Sequence, residues 1–261
     1  MQNICKTAIA TAIFLVLCFA AQAAGDDSFT DSRDGQDYRT VQIGKQIWMA
    51  ENLNYKSANS WCYANKDSNC EIYGRLYTWE TARKICPAGW HLPKRNEWFD
   101  LQKAIEDEKD CVEDGWEGLV PGAWGWESGG LSKNEVAEIR RKELAGKKLK
   151  SKSQWNGTDD YGFSALPGGM RYYNQAIFKS AGTFGYYWID NRFNSQLVYF
   201  WTFHTGRDKM EENIDFSTYG LSVRCVHDNP VPDSLVKKSE WPNKHDKKPI
   251  CKTNKHSQQR K

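Results

Sequence analysis

Cysteine placement is the tightest constraint on what this chain can fold into. Its first residues, MQNICKTAIATAIFLVLCFAAQAAGDD, set Lys6 before an uncharged stretch from Thr7 to Ala20, with Ala21-Gln22-Ala23 behind it. A positive start, an apolar centre and a small-x-small site are the parts of a cleaved export signal. The apolar run of about 14 residues falls short of the roughly 20 that span a bilayer. Residues 1–23 are therefore expected to be removed, leaving a chain that is not membrane-spanning. Of the 8 cysteines, Cys5 and Cys18 leave with that segment, and Cys62, Cys70, Cys86, Cys111, Cys225 and Cys251 stay. An even set in an oxidising compartment implies a disulfide framework, with 15 full pairings open. A zinc site is disfavoured, because none of these cysteines has C-x-x-C spacing and the 5 histidines do not cluster beside them.

About 238 residues after cleavage suffice for one sizeable core. Charge is uneven along them. From Lys237 to Lys261 nine Lys and Arg face Glu240 and Asp246, a net +7 that leaves the rest of the chain at 3 − 7 = −4. Loss of Lys6 brings the body to −5. An acidic body argues against nucleic acid as a partner, and an anionic partner would meet the tail.

Residues 24–37 are polar and glycine-containing and are expected as a lead-in to a domain over 38–229. VQIGKQIWMAENL reads as two short strands about a Gly44-Lys45 turn. YKSANSWCYANKDSNCEIYG reads as a loop pinned near Cys62 and Cys70. YTWETARKIC places Trp79, Ala82 and Cys86 on one helix face, and KRNEWFDLQKAIEDE repeats the pattern with Trp98, Leu101 and Ile105. Residues 107–142 look like an insert, glycine-rich first and then charged. Past Trp155 the pattern is strand-like, and LVYFWTF has aromatics on both alternating faces, as a strand buried on two sides would. Residues 230–261 read as a basic, poorly ordered tail.

Four segments carry a resemblance: DSRDGQDYRTVQIGKQIWMAENLNY, YGRLYTWETARKICPAGWHLPKRNEW, AGKKLKSKSQWNGTDDYGFSALPGGMR and GLSVRCVHD. In this order, over about residues 31 to 228, the chain resembles the Fibrobacter succinogenes major paralogous domain, a family of exported bacterial proteins. It departs at the insert and at YYWIDN, where the family usually shows a Trp-Ser-Ser-Thr pattern. At longer range the layout resembles the C-type-lectin-like fold, which formylglycine-generating enzymes share. The resemblance implies an α+β domain with two short helices, irregular antiparallel sheets, long loops and disulfides. It also implies a Cys86–Cys225 bridge; Cys62–Cys70 then follows by proximity and Cys111–Cys251 by elimination.

A bridged Cys86 cannot be a nucleophile, and His91 has neither a partner nucleophile nor an oxyanion donor in its stretch. His91 is expected to bond loop backbone. No catalytic residue is assigned. The copper-binding cysteine pair of formylglycine-generating enzymes is missing, since Gly220 stands five residues before Cys225. Calcium-dependent sugar binding of the lectin type lacks its Glu-Pro-Asn or Gln-Pro-Asp loop. Asp159, Asp160 and Asp190 could still hold a structural calcium. No other cofactor is expected. The chain is rich in Trp, Tyr and Phe, at 12, 12 and 11, and wide rings suit stacking on sugars as well as packing. Trp116, Trp124, Trp126, Tyr172, Tyr173, Tyr186 and Tyr187 are the candidate platform. The expected function is a secreted, periplasmic or cell-surface protein that binds polysaccharide or an envelope polymer without catalysis. A structural protein acting by protein–protein assembly is the alternative, and a degenerate relative of the formylglycine-generating enzymes comes third.

Overall fold

The computed structural model describes residues 28–106, 144–153, 155–172 and 177–236. Strand β1 (Ser28–Asp31) pairs with β2 (Gln36–Ile43), which turns back into β3 (Gln46–Met49). Gly44 has φ +57° in the two-residue turn between the partners Ile43 and Gln46. A hairpin turn this tight needs that left-handed conformation at its first position. Strand β1 and the first two residues of β2 lie within the polar 24–37 stretch read as an extended lead-in. Asp31 is buried there and takes a two-pronged ion pair from Arg33, whose Nη1 also donates to the Ile85 carbonyl. Polar sequence folds here because its charges are paired.

Helix α1 (Asp67–Tyr73) occupies what reads as a loop in the sequence. It buries only Cys70, so it leaves no apolar periodicity to detect. Helix α2 (Trp79–Ile85) buries Trp79, Ala82 and Ile85, and Cys86 lies just past its end rather than on its face. Glu80 in the first turn and Arg83 and Lys84 in the last complement the helix dipole. Helix α3 (Arg95–Glu106) buries Trp98, Leu101 and Ile105, as expected. Glu97 accepts the Lys94 backbone N–H at 2.7 Å, the reach-back bond of a capping box. A further helical stretch covers 144–149.

A five-stranded sheet runs β1-β2-β3-β13-β6, with β6 (Trp90–His91) and β13 (Val226–His227). A six-stranded sheet contains β4 (Ser60–Trp61), β5 (Leu76–Tyr77), β9 (Phe184–Arg192), β10 (Leu197–His204), β11 (Met210–Phe216) and β12 (Leu221–Ser222). Its order is β11-β10-β9-β12-β5-β4, antiparallel except where β12 meets β9. Strand alternation on β9 and β10 explains the double-sided core. Trp188 and Phe200 pack into one apolar cluster with Trp79 and Leu221. Tyr187, Trp201 and Phe203 pack into another with Trp48 and Trp98. The β10 stretch is thus buried on both faces, as its aromatic pattern predicts. The link from β12 to β13 carries Arg224 and Cys225 from one sheet to the other.

Among the described residues two disulfides are formed, Cys62–Cys70 and Cys86–Cys225. The second joins the end of α2 to the inter-sheet link across 139 residues. Cys111 and Cys251 lie outside the described residues, as do residues 1–27, read above as holding an export signal, the 107–142 stretch and the residues beyond Val236.

Candidate functional site

The stretch from α2 to α3 concentrates reactive residue types, and the structure shows what each one holds. The Cys86 sulfur is consumed by its bridge to Cys225. His91 does not bond loop backbone, as the sequence suggests; both of its ring nitrogens meet carboxylates. Nδ1 is 2.6 Å from Asp228 Oδ1, and Nε2 is 2.8 Å from Glu97 Oε1. The Glu97 hydrogen bond, more than Asp228, holds the imidazole above its ordinary pKa against the opposing effect of burial. Burial acts to raise the Glu97 pKa, but His91 and the Lys94 N–H together leave it below the usual value. The charged trio fastens β6 to the start of α3 and to the residue after β13.

The platform candidates separate. Trp116, Trp124, Trp126 and Tyr173 lie outside the described residues. Tyr187 is a correction: it is 0% exposed, and its hydroxyl both accepts from the Leu166 N–H and donates to the Leu166 carbonyl. Adjacent strand residues point to opposite faces, so Tyr186 and Tyr187 cannot share a surface. Tyr186 and Tyr172 do come together. Burial raises the Tyr186 pKa, and the neighbouring Tyr172 and Asp215 push the same way. Both rings are half-buried against the cluster that holds Tyr219 and Phe200.

These rings surround a small hairpin made of β7 (Met170–Arg171) and β8 (Phe178–Lys179). On one side Tyr172 lies 5.0 Å from Tyr219, which in turn lies 5.9 Å from Phe216. Lys179 Nζ sits 4.7 Å from the Tyr172 ring centre, and Tyr186 stacks on Phe184 at 5.4 Å. Phe216 is 42% exposed and Lys179 is exposed. On the other side the Arg171 guanidinium covers Trp61 at 3.9 Å, and Tyr63 packs edge-on against Phe178. Glycine is required at position 169 beneath this arrangement and fits closely at position 220. A Cβ on Gly169, whose φ is +67°, would come within 2.5 Å of the Lys179 carbonyl oxygen. One on Gly220 would stand 3.1 Å from Arg171 Cβ and 3.4 Å from the Trp61 ring. Gly220 thus serves the approach of Arg171 to Trp61. Sequence reading missed Trp61, Arg171, Lys179, Phe216 and Tyr219; their contacts cross long stretches of chain, and only the Tyr172 neighbourhood gave any signal.

The acids considered for calcium have protein partners or stand apart. Asp159 accepts the Ser164 N–H and hydroxyl, at 2.7 and 2.6 Å, and Asp190 pairs with Arg83 at 2.8 Å. Asp160 is half-buried near Asp159 in sequence, and its backbone N–H donates to the Lys148 carbonyl.

Fold and site together define a disulfide-stapled α+β domain with an aromatic, partly basic hairpin face. The chain matches the Fibrobacter succinogenes major domain over residues 41–227 and belongs to that family. No curated protein and no solved structure matches it.

Proposed function

We propose that the protein is an exported, non-enzymatic recognition module of C-type-lectin-like architecture whose β7–β8 face binds carbohydrate or a cell-envelope polymer. The observation that carries this reading is the gathering of Tyr172, Tyr186, Phe216 and Lys179 around one hairpin, with the rings only half covered. Sugar rings offer apolar C–H faces to such aromatics while their hydroxyls stay in water. Disulfides support an oxidising destination, and among the described residues no helix is long and apolar enough to cross a membrane. The non-enzymatic part is supported by the spent Cys86 sulfur and by His91, whose two nitrogens are both occupied.

The test is retention of the oxidised protein on a panel of soluble and insoluble polysaccharides, with calcium and again with chelator. Retention on one glycan class is expected. Sensitivity to chelator would bring Asp159, Asp160 and Asp190 back as calcium ligands. A folded sample that no glycan retains would contradict the reading and favour protein–protein assembly.

A further inference from the structure

Charge at the β7–β8 face differs in sign from the body around it. From Tyr161 to Ile189 the chain carries Arg171 and Lys179 and no Asp or Glu, whereas the body as a whole is net negative. Elsewhere exposed arginines are matched: Arg83 pairs with Asp190, Arg95 with Glu212, and Arg192 with Glu80. Lys179 is not. It is exposed, its Nζ lies 4.7 Å from the Tyr172 ring centre, and among the described residues no carboxylate pairs with it. A ring attracts an ammonium through its charge and leaves the N–H donors for a further acceptor. Arg171 is committed to the Trp61 ring and the Tyr172 carbonyl, so the cation open to a ligand here is Lys179. Asp215 is felt at Tyr186 rather than paired with Lys179, and its Oδ1 accepts the Phe216 N–H at 2.9 Å.

An exposed ammonium beside half-covered rings suits a sugar that is itself an anion. A uronic acid keeps the apolar C–H face of a pyranose and adds a carboxylate at the ring edge. The C–H face meets Tyr172 or Tyr186 while the carboxylate accepts from Lys179 Nζ. A neutral sugar makes only the first contact, and an anion without a sugar ring makes only the second. Resting on the glycan-binding reading of this face, we propose that its ligand is a carboxylated polysaccharide and that Lys179 selects the charge.

The experiment is an amide-resolved NMR titration of the oxidised protein with trigalacturonate and trimannuronate. Their methyl esters are the neutral counterparts with the same rings, and triglutamate is the anion without rings. Shifts are read at Arg171, Phe178 and Lys179, so that anion binding by the basic residues beyond Val236 does not enter. At least one uronate is expected to shift these amides saturably, with its ester about fivefold weaker or worse. Salt at about 1 M, where the screening length is about 3 Å, is expected to remove that difference. Lys179→Gln is expected to bring the acid down to its ester. Should that variant disturb the fold, Lys179→Met gives the same comparison. The inference is overturned if the ester binds as well as the acid, if triglutamate saturates the same amides, if the difference survives salt, or if the Lys179 variants keep it. In the first of these cases the face still binds sugar, and the recognition reading stands without its charge preference. If neither acid nor ester shifts these amides the inference falls as well, and retention on the polysaccharide panel decides the recognition reading separately.

Discussion

Arg224 is fully buried, and its guanidinium fork joins parts of the chain that are distant in sequence. Nε donates to Asn52 Oδ1, Nη1 to the carbonyls of Met49 and Phe163, and Nη2 to the Ser164 carbonyl, with the Phe163 ring 4.4 Å away. Replacement by methionine keeps bulk but leaves these buried acceptors unmatched, each costing about 1–3 kcal/mol. Arg224→Met is expected to lower unfolding free energy by about 3 kcal/mol or more in urea titration, taking more than one such loss. His91 supplies the pH dependence. Its folded pKa lies above the ordinary value of about 6.5, mainly through Glu97. The stability it contributes is therefore complete below about 6.5 and is lost as pH rises through the folded value. Glu97, with a lowered folded pKa, adds stability that is lost in acid. Melting followed from pH 6 to 9 should show a fall in the wild type that is absent in His91→Gln. Equal slopes in the two would remove the ion-pair account. Neither role was readable from sequence. Lone Arg and His residues carry no mark of their partners, and Asp228 lies 137 positions from His91.

At the scale of elements, legibility followed burial. Trp98, Leu101 and Ile105 are spaced to bury one face, so α3 is legible in the sequence. Helix α1 is not, because its single buried residue is a cysteine held by a bridge. The platform shows the same division. Period-two alternation, applied to FGYYWIDNR once it is recognised as a strand, already excludes Tyr186 and Tyr187 from one face. The pairing of Arg171 with Trp61 depends on tertiary contact alone. The two bridges differ in the chain they close, 139 residues against 8. Chain entropy then assigns about 5 kcal/mol to Cys86–Cys225 and about 2.5 to Cys62–Cys70. Denaturant titration of the paired alanine variants should rank them in that order; a larger loss at Cys62–Cys70 would mean that α1 holds the domain in a way loop closure does not describe.

For the molecule as a whole, two sheets are joined by the β12–β13 link, which carries both the buried arginine and the long-range bridge. That frame holds the β7–β8 hairpin against β12 through the mutual backbone bonds of Arg171 and Gly220. The face it presents is the centre of the functional account. The most direct measurement is affinity electrophoresis through gels containing the polysaccharide that retains the wild type. Wild type is compared with the double variant Tyr172→Ala, Lys179→Ala, and melting of both is recorded alongside. The variant is expected to be retarded about tenfold less, or more weakly still, while its cooperative melt persists. Equal retardation of a folded variant and the wild type would contradict it and move recognition off the hairpin.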